Sequence, residues 1–223
     1  MKIENLLFEI AEALLYPVLI LTVLALVYAL VELGALAAEV YKRRGRGIER
    51  LDYAIAQVRT CLAVGDNQSA LNIVHALGYN EKMSAALDAL ILQRGLPDTE
   101  DRIAKRLAEY DYSSLRRLER TRILVRMGPA LGLMGTLIPL SPALAALADG
   151  NIQRLTSDLR VAFSVTVTGL LIGMLAFAVS LVRDRLYAQD FSDVEYIAAA
   201  LDDIPAPPAI HAAQSVGVVP VGP

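Results

Sequence analysis

The sequence predicts an all-α integral membrane protein. It has three transmembrane helices and a cytoplasmic helical domain, and the second and third spans extend into the cytoplasm. Three observations carry this reading. The chain is 55% apolar with a mean hydropathy of +0.46, too apolar for an ordinary water-soluble domain of 223 residues. Residues 13–31, 127–148 and 161–182 each lack charge. The region between the first two runs shows no strand-like alternation of apolar and polar residues.

The elements follow in order. Residues 3–15 alternate Glu with Leu, Ile and Phe, which predicts a segment lying along the membrane interface before Pro17 starts the first crossing. The acidic flank of Glu4, Glu9 and Glu12, and the lack of a small-residue cleavage site, separate this run from a cleaved signal. The second and third runs are 22 residues each. At 1.5 Å rise such a helix covers about 33 Å, the thickness of a bilayer core.

Basic residues orient the chain. Lys42, Arg43, Arg44, Arg46 and Arg50 follow the first span. Arg116, Arg117, Arg120, Arg122 and Arg126 precede the second, and Arg183 and Arg185 follow the third. By the positive-inside rule, residues 39–126 and the C-terminus are cytoplasmic and the N-terminus is outside, as in a multi-pass protein of the cytoplasmic (inner) membrane. The net charge is only −3 and the arginines gather at span ends, which points away from a nucleic-acid partner and towards membrane lipid.

Within 39–126, helices are predicted near 48–64, 67–77 and 82–94, punctuated by Gly65-Asp66-Asn67, Gly78-Tyr79-Asn80 and Gly95-Leu96-Pro97. Pro97-Asp98-Thr99 signals another helix start, and no breaker follows until Gly128. Ile103, Leu107, Tyr110, Ser114, Leu118, Thr121 and Val125 recur at spacings of three and four along it. One helix from 99 to 148 would reach about 75 Å at 1.5 Å per residue. A further amphipathic helix at 183–203 carries Leu186, Asp190, Val194, Ile197 and Leu201 on one face. The tail 204–223, with five prolines and no charge, is expected to be disordered. The organisation is therefore 1–38 (interfacial segment and first span), 39–126 (cytoplasmic helical domain), 127–182 (second and third spans, forming a pore), 183–203 and 204–223.

The second span is built from helix breakers: Gly128, Pro129, Gly132, Gly135, Pro139 and Pro142, with the hydroxyl of Thr136 among them. In lipid, helices associate through close backbone packing, which small residues permit. Gly128, Gly132 and Thr136 fall four apart, with Gly135 beside them. In the third span, Ala162, Thr166, Gly169, Gly173, Ala176 and Ser180 share an arc of about 80° at 100° per residue. These glycines are the helix-packing candidates. Pro139 and Pro142 are expected to bend the outer half of the second span, their freed carbonyls served by packed helices or pore water. Thr136 and Thr166 are the polar candidates; each could also do no more than bond a carbonyl of its own helix.

The pairing of Gly132-Leu-Met-Gly135-Thr136 with Thr166-Val-Thr-Gly169-Leu170 in consecutive spans resembles the MotA/TolQ/ExbB proton channel family, closest to its ExbB/TolQ branch. The resemblance implies a homopentamer whose second and third spans line a pore. That pore would hold a single-span ExbD/TolR/MotB-like partner whose aspartate carries the proton, so that proton flow does mechanical work in the envelope. It also implies that Thr136 and Thr166 line the pore. Two positions depart from the family pattern. Val161 stands where ExbB-like proteins carry a glutamate, and Ile138-Pro139 stands where an aromatic residue and a glycine are usual. They leave room for a second reading, a non-conducting oligomeric scaffold or secretion-platform subunit.

The remaining residues exclude other classes. Cys61 is alone, and His75 and His211 are isolated, so neither a metal site nor a cofactor is expected. No phosphate-binding loop, nucleophile elbow or zinc-protease helix occurs, and the chain reads as a non-enzyme. Glu32 and Glu39, at the inner end of the first span, are expected to snorkel or to pair with Arg43 or Arg44.

Overall fold

A computed structural model describes residues 2–44, 47–93 and 99–202. Among the described residues the chain is all-α: α1 (Lys2–Ala13), α2 (Leu15–Lys42), α3 (Ile48–Val64), α4 (Asn67–Leu77), α5 (Glu81–Leu92), α6 (Thr99–Ala148) and α7 (Ile152–Asp202). The tail 204–223, Arg94 at the end of the third predicted cytoplasmic helix, and Pro97-Asp98 before α6 lie outside the described residues. Three helices are long and apolar enough to cross a membrane, over Leu6–Lys42, Glu100–Ala148 and Ile152–Leu201.

The chain forms two compact units, and both long helices contribute to each: Met1–Arg46 with Glu109–Ser192, and Gly47–Ala108 with Asp193–Pro223. In the first unit α1 and α2 are separated only at Leu14. Its amide donates to Ile10 at 3.1 Å, and the Val18 amide donates back to Leu14 at 3.0 Å, so the backbone ladder is barely interrupted. Pro17 falls in the first turn of α2, where a missing N–H leaves no bond unmade. Ile3, Leu6, Leu7, Phe8 and Ile10 of α1 are exposed, as suits a segment lying in an interface.

α6 continues unbroken through Pro129, Pro139 and Pro142. It ends at Gly150, whose φ of +71° is open to glycine at little strain. There the Asn151 amide reaches back to Ala146 at 2.8 Å and the Gly150 amide to Leu147 at 3.1 Å, the paired bonds of a Schellman stop. Asn151 then caps α7 by accepting from the Arg154 amide at 3.0 Å. The connection between the second and third spans is thus a three-residue corner, and α7 begins nine residues before the uncharged run does. α2 joins α6 and α7 through Val18, Ala25 and Ala29, packed with Leu124, Leu131, Ile172 and Ala176.

In the second unit α3 packs on α4 and α4 on α5. Gly65 (φ +83°) repeats the Schellman stop, with the Asp66 amide on Cys61 at 2.9 Å. Asp66 and Asn80 cap α4 and α5, accepting from the amides of Ser69 and Met83 at 3.0 and 2.8 Å. Hydrogen bonds from the Ser69 side chain and amide hold the Asp66 carboxyl below its usual range. The core gathers Val58, Ala70, Val74, Met83 and Leu87. The end of α7 is tied to α3 by Tyr196 donating to Asp52 at 2.6 Å and Arg59 donating to the Ala200 carbonyl at 2.7 Å.

Candidate functional site

The two spans with the glycines meet each other within one chain. A Cβ on Gly128 would stand 2.6 Å from the Gly173 amide nitrogen and 2.7 Å from the Gly169 carbonyl oxygen. One on Gly169 would stand 2.6 Å from the Gly128 oxygen and 2.7 Å from the Gly132 Cα. Gly132 faces the backbone of Thr166, Gly135 faces the side chain of Val165, and Gly173 faces the ring of Pro129. Gly128, Gly132, Gly135, Gly169 and Gly173 therefore form one antiparallel seam, in which backbone touches backbone at Gly128, Gly132 and Gly169. Ala162, Ala176 and Ser180 extend the buried face of α7.

Thr166 lies on this seam and Thr136 one turn along α6 from Gly132; both are half-buried. The Thr136 hydroxyl donates to the Leu133 carbonyl at 2.8 Å. The Thr166 hydroxyl donates to Ala162 at 3.0 Å and stands 3.4 Å from the Gly132 carbonyl across the seam. Each hydrogen is committed to a backbone carbonyl, which leaves the oxygens as acceptors. Pro139 is buried and Pro142 half-buried. No ionisable side chain occurs in 127–148 or 161–182. Val161 is half-buried, and Asp158 makes a loose ion pair with Arg154 at 3.9 Å.

A second feature was missed by the sequence reading. At the arginine-rich end of the same unit, α2, α6 and α7 share a ladder of buried charge. Arg183 is fully buried; its Nη1 donates to Glu32 and, at 3.1 Å, to the Thr121 hydroxyl. Its Nε lies 3.6 Å from Glu39, which is also ion-paired with Arg117 at 2.6 Å. Asp190, equally buried, takes Arg43 in a two-pronged pair, Nε at 3.2 Å and Nη2 at 2.5 Å. Three carboxylates meet three guanidiniums, so the ladder is neutral. Tyr187 is buried between Arg183 and Asp190 on the same face of α7.

Helical geometry explains why these residues meet. Glu32, Glu39 and Arg43 fall within about 40° on α2, and Arg183, Tyr187 and Asp190 within about 60° on α7, at 100° per residue. The two helices run parallel, so both stripes descend together. Glu32 and Glu39, expected to snorkel or to pair with Arg43 or Arg44, meet arginines of other helices. Glu32 reaches Arg183 of α7, Glu39 reaches Arg183 of α7 and Arg117 of α6, and Arg43 donates to the Glu39 carbonyl at 3.2 Å. A planar fork facing a carboxylate gives a better bond than a neighbour one turn away. The sequence signal was the shared face of Glu32, Glu39 and Arg43, which read only as charge flanking a span.

Three membrane-length helices, a backbone-close pair of spans each carrying a threonine, and a neutral clasp at their charged end define a polytopic helical membrane protein. The model of the MotA/TolQ/ExbB proton channel family matches residues 79–195, just over half of the chain and including both glycine-rich spans, and the chain belongs to that family. Among curated proteins, none matches it.

Proposed function

We propose that the chain is the pore-forming subunit of a complex driven by the proton-motive force, conducting protons with a single-span ExbD/TolR/MotB-like partner to do mechanical work in the cell envelope. It would act as a homo-oligomer, a pentamer by family resemblance, in the cytoplasmic membrane, with the N-terminus outside and the C-terminus cytoplasmic. The observation that carries the reading is family membership across both spans that hold Thr136 and Thr166. These spans have no acid of their own, so a proton-carrying carboxyl must arrive on another chain.

The chemistry of the hydroxyls suits that task. With their hydrogens on Leu133 and Ala162, the oxygens of Thr136 and Thr166 would accept a bond from a protonated partner acid. After the proton leaves, rotation of either hydroxyl would let it donate to the carboxylate instead. Glycine and threonine keep the lumen narrow, and a narrow lumen supports a short water wire.

Val161 and Pro139, with both threonine hydrogens held by their own helix, favour a second reading, a non-conducting oligomeric scaffold. Proton flux into vesicles holding the complex separates the two. Thr136→Val and Thr166→Val keep volume and are expected to leave assembly intact while abolishing flux. Flux unchanged in both variants, or absent in the parent complex, overturns the conducting assignment.

A further inference from the structure

The uncharged runs of the three spans are not level with one another. At the arginine-rich end Glu32, the first charge after the first run, meets Arg183, the first charge after the third. At the other end Glu12, the last charge before the first run, lines a cleft with Ile138, Ser141 and Pro142 of α6. The glycines register α6 against these marks. Gly135 faces Val165, Gly132 faces Thr166, and Gly173 stands against Pro129 and the Val125 carbonyl. Counted along this antiparallel pair, the slab marked by the first and third runs covers about 119–140 of α6, not the uncharged stretch 127–148. Hydropathy alone starts the second span after Arg126. The packed register puts Arg126 level with about residue 175 of α7, about 10 Å inside the slab. Taking 127–148 as the slab instead would draw Glu12, Arg154, Asp158 and Arg160 of two other helices into hydrocarbon.

Arg126 is exposed and makes no ion pair among the described residues. A charge at such depth faces a wet cavity or a counter-charge. Its side chain, about 7 Å long at bond lengths near 1.5 Å, falls short of the headgroups. This chain offers no acid at that level, since 13–31 and 161–182 carry no charge. Asp158 lies beyond the outer end of the third run, and Asp184, Asp190, Asp193, Glu195 and Asp202 beyond its inner end. On α6 the nearest charge is Arg122, one turn inward and paired with Asp184 at 3.3 Å, with Arg120 and Glu119 beyond it. Copies in a ring about the membrane normal repeat every residue at its own depth, so a second copy supplies no acid here either. We infer that Arg126 lines the inner mouth of the pore and is the docking cation for an acidic residue on a helix of another chain that fills it. The inference rests on the pore reading of α6 and α7. Arg126 lies within about 80° of Thr136 at 100° per residue, so one lumen meets both. It also lies about 15 Å inward of Thr136, so the docking acid is not the one that carries protons past the threonines. On a partner helix it falls about ten residues to the inner side of that acid.

The test uses the full chain with Cys61→Ser, which removes its one cysteine, in inside-out membrane vesicles. With Arg126→Cys added and the chain expressed alone, the new thiol should react with a membrane-impermeant anionic methanethiosulfonate supplied on the arginine-rich side. Co-expression of the single-span partner should block that reaction. Partner retained on purification in mild detergent is then counted by native mass spectrometry. Arg126→Ala should lower retention about tenfold or more, as expected when one member of a charge pair is truncated, and Arg126→Lys should largely keep it. Unchanged oligomer size in gel filtration certifies each variant; if Arg126→Ala fails to assemble, Arg126→Gln replaces it. No labelling from the arginine-rich side, labelling indifferent to the partner, or retention indifferent to Arg126→Ala each overturns the proposal. Proton flux into the same vesicles keeps this apart from the pore reading. Flux that needs Thr136 and Thr166 while Arg126→Ala keeps its partner overturns the docking alone, whereas a parent complex without flux overturns conduction and leaves labelling and retention to decide Arg126.

Discussion

The seam and the ladder join the same helices by opposite means. Along Gly128, Gly132 and Gly169 the backbones of α6 and α7 are separated by no side chain at all, and nothing charged is present. Some turns away, Arg183 and Arg43 span the gaps with the longest side chains available and meet carboxylates from α2 and α7. In the apolar part of the bilayer, lipid competes equally for apolar surface, so only shape holds helices together. Near the charged end, ion pairs and hydrogen bonds add direction. The seam sets how close two helices come, and the ladder sets the axial register of three.

The largest effect should come from unbalancing the ladder. Arg183→Met leaves Glu32 without its guanidinium and Glu39 with one partner fewer, which costs about 3–5 kcal/mol when a buried pair is broken. Loss of the folded oligomer on a detergent thermal ramp is the readout, and Arg183→Met with Glu32→Gln should recover part of it. Reversing the other rung is a sharper probe. Arg43→Asp or Asp190→Arg alone should behave like Arg183→Met, whereas the double reversal should restore much of the loss. No recovery would deny that this rung is a direct pair.

The seam should answer to volume alone. Gly169→Ala places a methyl 2.6 Å from the Gly128 oxygen, so two backbones must part, at about 1–3 kcal/mol for overpacking. Gly132→Ala, with its nearest neighbour at 3.3 Å, should do less. The smallest effect belongs to Gly34 of α2, where an added Cβ meets nothing within 4 Å. Gly34→Ala should stabilise slightly, by up to about 1 kcal/mol from helix propensity. The same substitution thus changes sign with its surroundings, and the thermal ramp reads both.

Most helices were legible because their ends are written locally. The predicted 48–64 and 67–77 agree with α3 and α4 since Gly65 and Asp66 supply a left-handed stop and a cap. The start of α7 was not legible from the uncharged run. Arg154, Asp158 and Arg160 end the hydrophobic stretch without ending the helix, because hydropathy marks the bilayer and not the backbone. The glycines were visible as small residues at helical spacing, whereas their partners in the opposing span depend on how the two helices pack. The ladder was hidden for a different reason. Its pairs are separated by 147 and 151 residues, and which arginine meets which acid depends on the axial register of packed helices. Local spacing favoured Glu39 with Arg43, and tertiary packing gave Arg43 to Asp190 instead.

A density map of the native complex, extracted with its single-span partner and resolved to side chains, tests the central claim most directly. Gly128, Gly169 and Gly173 are expected in contact within each subunit, and Thr136 and Thr166 of every subunit turned towards a common axis occupied by the partner helix. Threonines facing acyl chains, or a subunit with no axis shared with its copies, would contradict it.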